Sequence, residues 1–138
     1  MNEMKVHHVG YLVKNIEKAK KVFCNTLGFE ELSPVVRDEG RKADICFVQS
    51  GTFVVELVSP YSGDSVVGGD LFKRFKNAPY HICLEANDFD ADIERIRTGG
   101  FVQIDQPQPA PAIGGRRVVF FASPAIGLIE LLEGHNGF

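Results

Sequence analysis

The chain has 138 residues, 44% of them hydrophobic and 24% charged, which is the composition of a globular protein large enough to bury a core. Its formal net charge of −3 gives no basic surface for nucleic acid, and no apolar run approaches the roughly 20 residues of a membrane span. Three widely spaced cysteines and an N-terminus without a signal-peptide pattern favour a reducing compartment, so we expect a cytoplasmic protein.

A first module is predicted over residues 5–58, and it begins with a strand at residues 6–13 that carries His8 near its start. Asn15 follows as a helix N-cap, because its side-chain oxygen can accept a hydrogen bond from a free backbone N–H of the first turn. Apolar residues then recur at helical spacing until Gly28, which suits the left-handed residue that commonly ends a helix. After the helix, three further strands are predicted, over residues 32–36, 44–49 and 53–58.

The same order of elements is predicted again over residues 79–133. A linker at residues 59–78, which contains Pro60 and three glycines, separates the two modules. In the second module the first strand carries His81, Asp88 is the helix N-cap and Gly100 ends the helix. The later strands are predicted over residues 102–104, 117–122 and 128–132. Neither half, at about 55 to 60 residues, buries much core alone. We therefore predict one α+β domain over residues 1–138, built from two tandem βαβββ modules.

Two histidines and two glutamates occupy matching places in the two modules: His8 precedes Glu56 by 48 residues, and His81 precedes Glu130 by 49. A single histidine or glutamate in a strand is more often structural or at the surface, but matched offsets in two copies favour a shared role. Each glutamate lies in an apolar strand, where a carboxylate facing the interior needs a partner or a cation. The four side chains are thus predicted to bind one divalent ion, with Zn, Ni, Co or Mn as the candidates.

With these residues in view, the chain resembles the vicinal oxygen chelate superfamily, which includes glyoxalase I, methylmalonyl-CoA epimerase, extradiol dioxygenases and bleomycin-resistance proteins. The resemblance implies paired modules that curl into a cleft around the metal, and it implies a homodimer, since dimers are common in the family. Glyoxalase I and the epimerase keep four ligands, as this chain does. The segments that carry the resemblance are His8-Val9-Gly10, Leu27-Gly28-Phe29, Val55-Glu56-Leu57-Val58, Tyr80-His81-Ile82 and Ile129-Glu130-Leu131.

The resemblance also implies roles for individual residues. In both four-ligand branches the ligand at the position of Glu130 also moves the substrate's proton, so Glu130 is the expected base. The epimerase-type members, to which the chain is most similar, use a further acid on the opposite face of the substrate, and the nearest candidates are Asp38 and Glu39. The alternative for these two is a solvated charged turn. Arg116 and Arg117 are candidates to bind a substrate carboxylate or phosphate, with a surface role equally open, and at most one of them faces the cleft.

The predicted function is therefore a metal-dependent isomerase or epimerase that removes a proton next to the carbonyl of a small carbonyl compound or thioester. One alternative is an enzyme like glyoxalase I (lactoylglutathione lyase), which needs no base on the second face. Another, from a different class, is a resistance-type protein that sequesters a small molecule in the same cleft. Ahead of its last ligand the chain departs from the epimerase branch, because residues 122–127 lack that branch's His-Pro-Lys element.

Overall fold

A computed structural model describes residues 3–61 and 76–134 of the chain. The chain divides into two compact units, one made of His8–Tyr80 and the other of Met1–His7 with His81–Phe138. Residues 62–75, which form most of the predicted linker, lie outside the described residues. The predicted single domain and its module boundaries stay predictions. Neither helix in the described ranges is long and apolar enough to cross a membrane.

In the unit of His8–Tyr80, β5 is the central strand, with β1 parallel to it on one side and β4 antiparallel on the other. Two short strands, β2 and β3, pair with β4. The first helix, α1, continues into one π-helical segment before the chain returns to the sheet. The elements are β1 (Lys5–Leu12), α1 (Ile16–Lys21), the π-helix (Val22–Thr26), β2 (Glu30–Glu31), β3 (Val36–Asp38), β4 (Ala43–Ser50) and β5 (Phe53–Pro60).

The second unit repeats this layout. Strand β10 pairs in parallel with β6 and antiparallel with β9, and the short strands β7 and β8 pair with β9. The elements are β6 (Ala78–Glu85), α2 (Phe89–Thr98), β7 (Val102–Gln103), β8 (Gln108–Ala110), a 3-10 turn (Pro111–Ile113), β9 (Arg116–Ser123) and β10 (Gly127–Leu132).

Both predicted helix caps are confirmed. The Asn15 carboxamide oxygen accepts a hydrogen bond from Lys18 N at 3.0 Å, and an Asp88 carboxylate oxygen accepts one from Ala91 N at 3.2 Å. The predicted strand over residues 32–36 is wrong, because β2 ends before it and β3 begins only at its last residue. Pro34 lies between them, and proline has no N–H to give to a strand ladder. The first helix is followed by β2 and β3 in place of the one predicted strand, and β8 after the second helix was not predicted, so in the described residues four strands follow each of these helices rather than three.

The helix in each unit packs on one face of its strands and leaves the other face uncovered by that helix. In the His8–Tyr80 unit the helix-side core includes Cys46, Val48, Val55 and Leu57. Burial raises the pKa of the Cys46 thiol to about 12, so this cysteine stays a neutral, apolar side chain at physiological pH. Since strand side chains alternate, the residues between these four point to the opposite face. That opposite face, here called the ligand face, carries the histidines and glutamates described next.

Candidate functional site

The ligand face of the His8–Tyr80 unit holds a buried histidine–glutamate pair. Glu56 on β5 lies directly opposite Gly10 on β1, and His8 is two residues before Gly10, so His8 and Glu56 point to the same side. Gly10 has no side chain to separate them. His8 Nε2 lies 3.4 Å from Glu56 Oε1, and the two residues are only 1% and 3% exposed. The pair thus combines an imidazole nitrogen with a carboxylate oxygen away from water.

The second unit builds the same pair from the equivalent strands. Glu130 on β10 lies opposite Cys83 on β6, and His81 is two residues before Cys83. His81 Nε2 lies 3.1 Å from Glu130 Oε1, and these residues are 4% and 1% exposed. Parallel pairing of the first and last long strands of a unit is therefore what brings together two side chains almost 50 residues apart in sequence.

The two hairpins explain why the His–Glu offsets differ by one residue. Strands β4 and β5 pair up to Ser50 and Phe53, so the turn between them has two residues. Strands β9 and β10 pair up to Ser123 and Gly127, which leaves a three-residue turn. Glu130 therefore comes one position later than its equivalent and still occupies the same place in the sheet.

The distances within each pair fit two ligands of one metal ion. Two ligand atoms about 2.1 Å from an ion, at angles of about 90° to 109°, lie about 3.0 to 3.4 Å apart. The observed separations of 3.1 and 3.4 Å match this range. The longer one exceeds the usual length of an N–H···O hydrogen bond, about 2.7 to 3.2 Å. Each pair consequently fits an ion that accepts nitrogen and oxygen ligands, such as Zn, Ni, Co or Mn.

A phenylalanine that the sequence analysis missed accompanies each pair. Phe47 on β4 is directly opposite Glu56, and its ring centroid lies 5.3 Å from that of His8 with the planes at 73°. Phe120 on β9 is likewise opposite Glu130, and its ring lies 5.2 Å from His81 with the planes at 87°. The sequence carried a signal for them, because each phenylalanine follows its histidine by 39 residues. Each half thus repeats a His–Glu–Phe cluster.

The two candidate acids near residue 38 have partners of their own. Asp38 is 3% exposed, accepts a hydrogen bond from Arg41 N at 3.0 Å and lies 3.7 Å from the Arg41 guanidinium. It is on the ligand face, but the register puts it four residues along the strands from Glu56, about 14 Å at 3.4 Å per residue. Glu39 is exposed and accepts a hydrogen bond from Tyr61 at 2.9 Å. Their role as a second base stays a prediction.

Arg116 lies on the ligand face of its unit, since it is four residues before Phe120 on β9. Its side chain is almost wholly buried, Nη2 pairs with the Glu85 carboxylate, and Nε donates to the Glu133 carbonyl at 2.9 Å. The charged end of Arg116 therefore lies on the same face as Glu130 and is already balanced by one carboxylate.

Arg117 points to the other face, as strand alternation requires. Its guanidinium lies 4.7 Å from the ring centre of Phe89 on α2, and Nη2 donates to the Glu133 carboxylate at 2.9 Å. The hydrogen bonds that the Arg117 guanidinium donates to the Glu133 carboxylate lower the pKa of Glu133 and raise the pKa of Arg117. Of the two arginines, only Arg116 shares a face with the His–Glu pair of its unit.

Comparison with known proteins gives a consistent match. A family model described as the glyoxalase/bleomycin resistance protein/dioxygenase superfamily matches residues 7–120. Among curated proteins, the mitochondrial methylmalonyl-CoA epimerase of Homo sapiens is 30% identical over 129 residues, covering 92% of this chain and 72% of that protein. The ethylmalonyl-CoA/methylmalonyl-CoA epimerase of Cereibacter sphaeroides is 28% identical over 117 residues, covering 84% and 86%.

The fold is also that of solved structures. A methylmalonyl-CoA epimerase in complex with methylmalonyl-CoA and NH4+ is 22% identical to this chain, with a TM-score of 0.81 and coverage of 98% of this chain and 97% of that one. The predicted α+β fold of the vicinal oxygen chelate type is thereby confirmed.

Proposed function

This chain belongs to the glyoxalase/bleomycin resistance protein/dioxygenase superfamily, and on that basis we propose that it is a divalent-metal-dependent isomerase or epimerase. The proposed reaction removes a proton from the carbon next to a substrate carbonyl and returns a proton to the product. Relatives that are methylmalonyl-CoA epimerases support an acyl thioester as the substrate class. The observation that carries the proposal is the repeated, buried His–Glu pair with the atom separations of metal ligands.

We propose that His8, Glu56, His81 and Glu130 bind one ion together. A single pair supplies two ligands, whereas Zn, Ni, Co and Mn take at least four, including substrate or water. Two imidazoles and two carboxylates also balance the charge of a divalent ion, which offsets the cost of burying both carboxylates. When bound, such an ion polarises the substrate carbonyl and stabilises the negative charge that develops on its oxygen.

Glu130 is the proposed base. Its carboxylate oxygen takes the proton from the α-carbon and holds it until it is returned to the substrate or exchanged with solvent. Glu130 is 1% exposed, so its carboxylate is largely shielded from bulk water at this position. Glu56 occupies the equivalent register in the other half and is assigned the role of ligand alone, as the family resemblance implies.

The second face of the substrate separates two candidate functions. An epimerase must deliver a proton from the side opposite to Glu130, and Asp38 or Glu39 is the proposed donor. Both acids are hydrogen-bonded to other residues, Asp38 to Arg41 and Glu39 to Tyr61. Asp38 is also about 14 Å from Glu56 along the strands. These observations favour the alternative, a glyoxalase I-like enzyme with one base. The curated relatives favour the epimerase.

Arg116 is the proposed contact for an anionic group of the substrate. It lies on the ligand face, and its guanidinium can accept a second anion beside Glu85 because it has five N–H donors. Arg117, on the other face and over Phe89, is assigned a structural role instead.

Metal analysis of matched variants tests the proposal. The wild type is expected to hold about one ion per chain, and His8→Ala and His81→Ala are each expected to lose it. Glu94→Ala is the control, since Glu94 is an exposed carboxylate on α2 that pairs with Arg97. Two ions per chain in the wild type would contradict the shared ion, and full metal content in His81→Ala would contradict the ligand assignment.

We also propose that the protein forms a homodimer and is cytoplasmic, as the sequence led us to expect. Light scattering on the purified, metal-loaded protein measures the first, and a mass equal to one chain would contradict it.

A further inference from the structure

The repeated phenylalanine gives each His–Glu pair a third member, and its geometry is nearly the same in both halves. The ring separations from histidine are 5.3 and 5.2 Å, both with nearly perpendicular planes, and both rings are fully buried. We propose that Phe47 and Phe120 are positioning residues that hold the imidazole rings of His8 and His81 in the orientation that binds the metal. This inference rests on the proposed function, because it assumes that the histidines are ligands.

A histidine ring needs such support because its own torsion preferences do not fix it. Rotation about the bond between Cβ and the ring has broad, roughly two-fold minima, so the wrong ring edge can turn toward the metal at little cost. A perpendicular aromatic neighbour at this distance restricts the rotation, since edge-to-face packing is favourable at centroid separations of about 4.5 to 7 Å. Phe47 and Phe120 therefore act on metal affinity through the histidines, without touching the metal themselves.

The position of each phenylalanine in the sheet strengthens the argument. Phe47 and Phe120 each lie directly opposite the glutamate of the pair on the neighbouring antiparallel strand. Each ring therefore packs against the histidine of its pair from the strand next to the one that carries the glutamate. Two copies of this arrangement occur in two separate units, at identical offsets from the two histidines. Both halves thus keep a buried ring in the same relation to the candidate ligand histidine.

Phe121 provides a matched control for a purely space-filling role. It is the neighbour of Phe120 on β9, is equally buried, and points to the opposite face, where it packs in the core beneath α2. Replacing either residue by leucine removes a ring and keeps an apolar side chain, so both changes weaken the packing of the unit. Only the change at Phe120 removes the aromatic neighbour of His81.

The experiment measures metal affinity in folded protein. Phe47→Leu, Phe120→Leu, Phe121→Leu and wild type are titrated with Zn²⁺ against a chromophoric chelator, and their thermal unfolding is recorded in parallel. An aromatic pair worth about 0.5 to 1.5 kcal/mol predicts that metal binding weakens about 2- to 12-fold in Phe47→Leu and in Phe120→Leu. Phe121→Leu is expected to lower the unfolding temperature about as much as Phe47→Leu and Phe120→Leu do. Its metal affinity is expected to stay within about twofold of the wild type.

Cobalt substitution adds a readout that loss of packing alone would not move. The visible absorption bands of bound Co²⁺ report ligand geometry, so they are expected to shift in Phe47→Leu and Phe120→Leu and not in Phe121→Leu. Equal weakening in Phe121→Leu, or unchanged affinity and spectra in both ligand-face variants, would overturn the positioning role. If the positioning role fails but His8→Ala and His81→Ala lose the metal, the proposed function stands. A wild type that binds no metal would overturn both the positioning role and the proposed function.

Discussion

Replacing Glu130 with glutamine separates proton transfer from metal binding. Glutamine keeps the shape and one oxygen ligand of the side chain and removes the base. Because Glu130 is 1% exposed and lies 3.1 Å from His81, the substituted side chain stays in the buried pair and no solvent base takes its place. In metal-loaded protein, exchange of the substrate α-proton with deuterated water is expected to fall at least about 100-fold. This is the lower scale for losing a general base and corresponds to about 2.7 kcal/mol.

Glu56→Gln is the internal control for this experiment. It makes the same chemical change at the equivalent place, since Glu56 lies opposite Phe47 as Glu130 lies opposite Phe120. We expect Glu56→Gln to weaken metal binding more than it slows exchange once the ion is restored. Mass spectrometry or NMR of a recovered acyl thioester measures the exchange. If metal-loaded Glu130→Gln exchanges protons at the wild-type rate, Glu130 is only a ligand and the base lies elsewhere.

Two further predictions concern the substrate. In an epimerase, Asp38→Asn combined with Glu39→Gln should lower epimerisation of a chiral acyl thioester by at least about 100-fold, whereas a one-base enzyme should keep its turnover; unchanged epimerisation would exclude the two-base scheme. For a substrate with an anionic group, Arg116→Lys should raise KM about tenfold at similar kcat, because lysine lacks the planar fork of N–H donors. Arg117→Lys on the opposite face should change neither constant, and equal effects of the two substitutions would refute the assignment to Arg116.

The helices and the candidate ligands could be predicted from local sequence. Asn15 and Asp88 cap their helices through side-chain oxygens that need only the next few backbone N–H groups, so neighbouring residues decide the outcome. The apolar residues at 32–36 predict a strand, and this prediction is wrong because Pro34 has no N–H to donate to a strand ladder. The repeat of His and Glu at similar offsets was visible because each module folds by the same local rules.

What the sequence by itself determined is the residue types of the long strands and the alternation of their side chains between the two faces. Only the tertiary structure decided the pairing, because register depends on turns and packing that join segments far apart in the chain. The parallel ladder between β1 and β5 brings His8 to 3.4 Å from Glu56, and the β4–β5 turn sets Phe47 opposite the same glutamate. Tyr61 likewise donates a hydrogen bond to Glu39 across 22 residues of sequence, a contact that forms only in the folded chain. Asp38 and Arg41, by contrast, are three residues apart, so their contact is local. The sequence therefore determines the chemistry of each side chain and its local partners, whereas long-range backbone hydrogen bonds determine which distant side chains it meets.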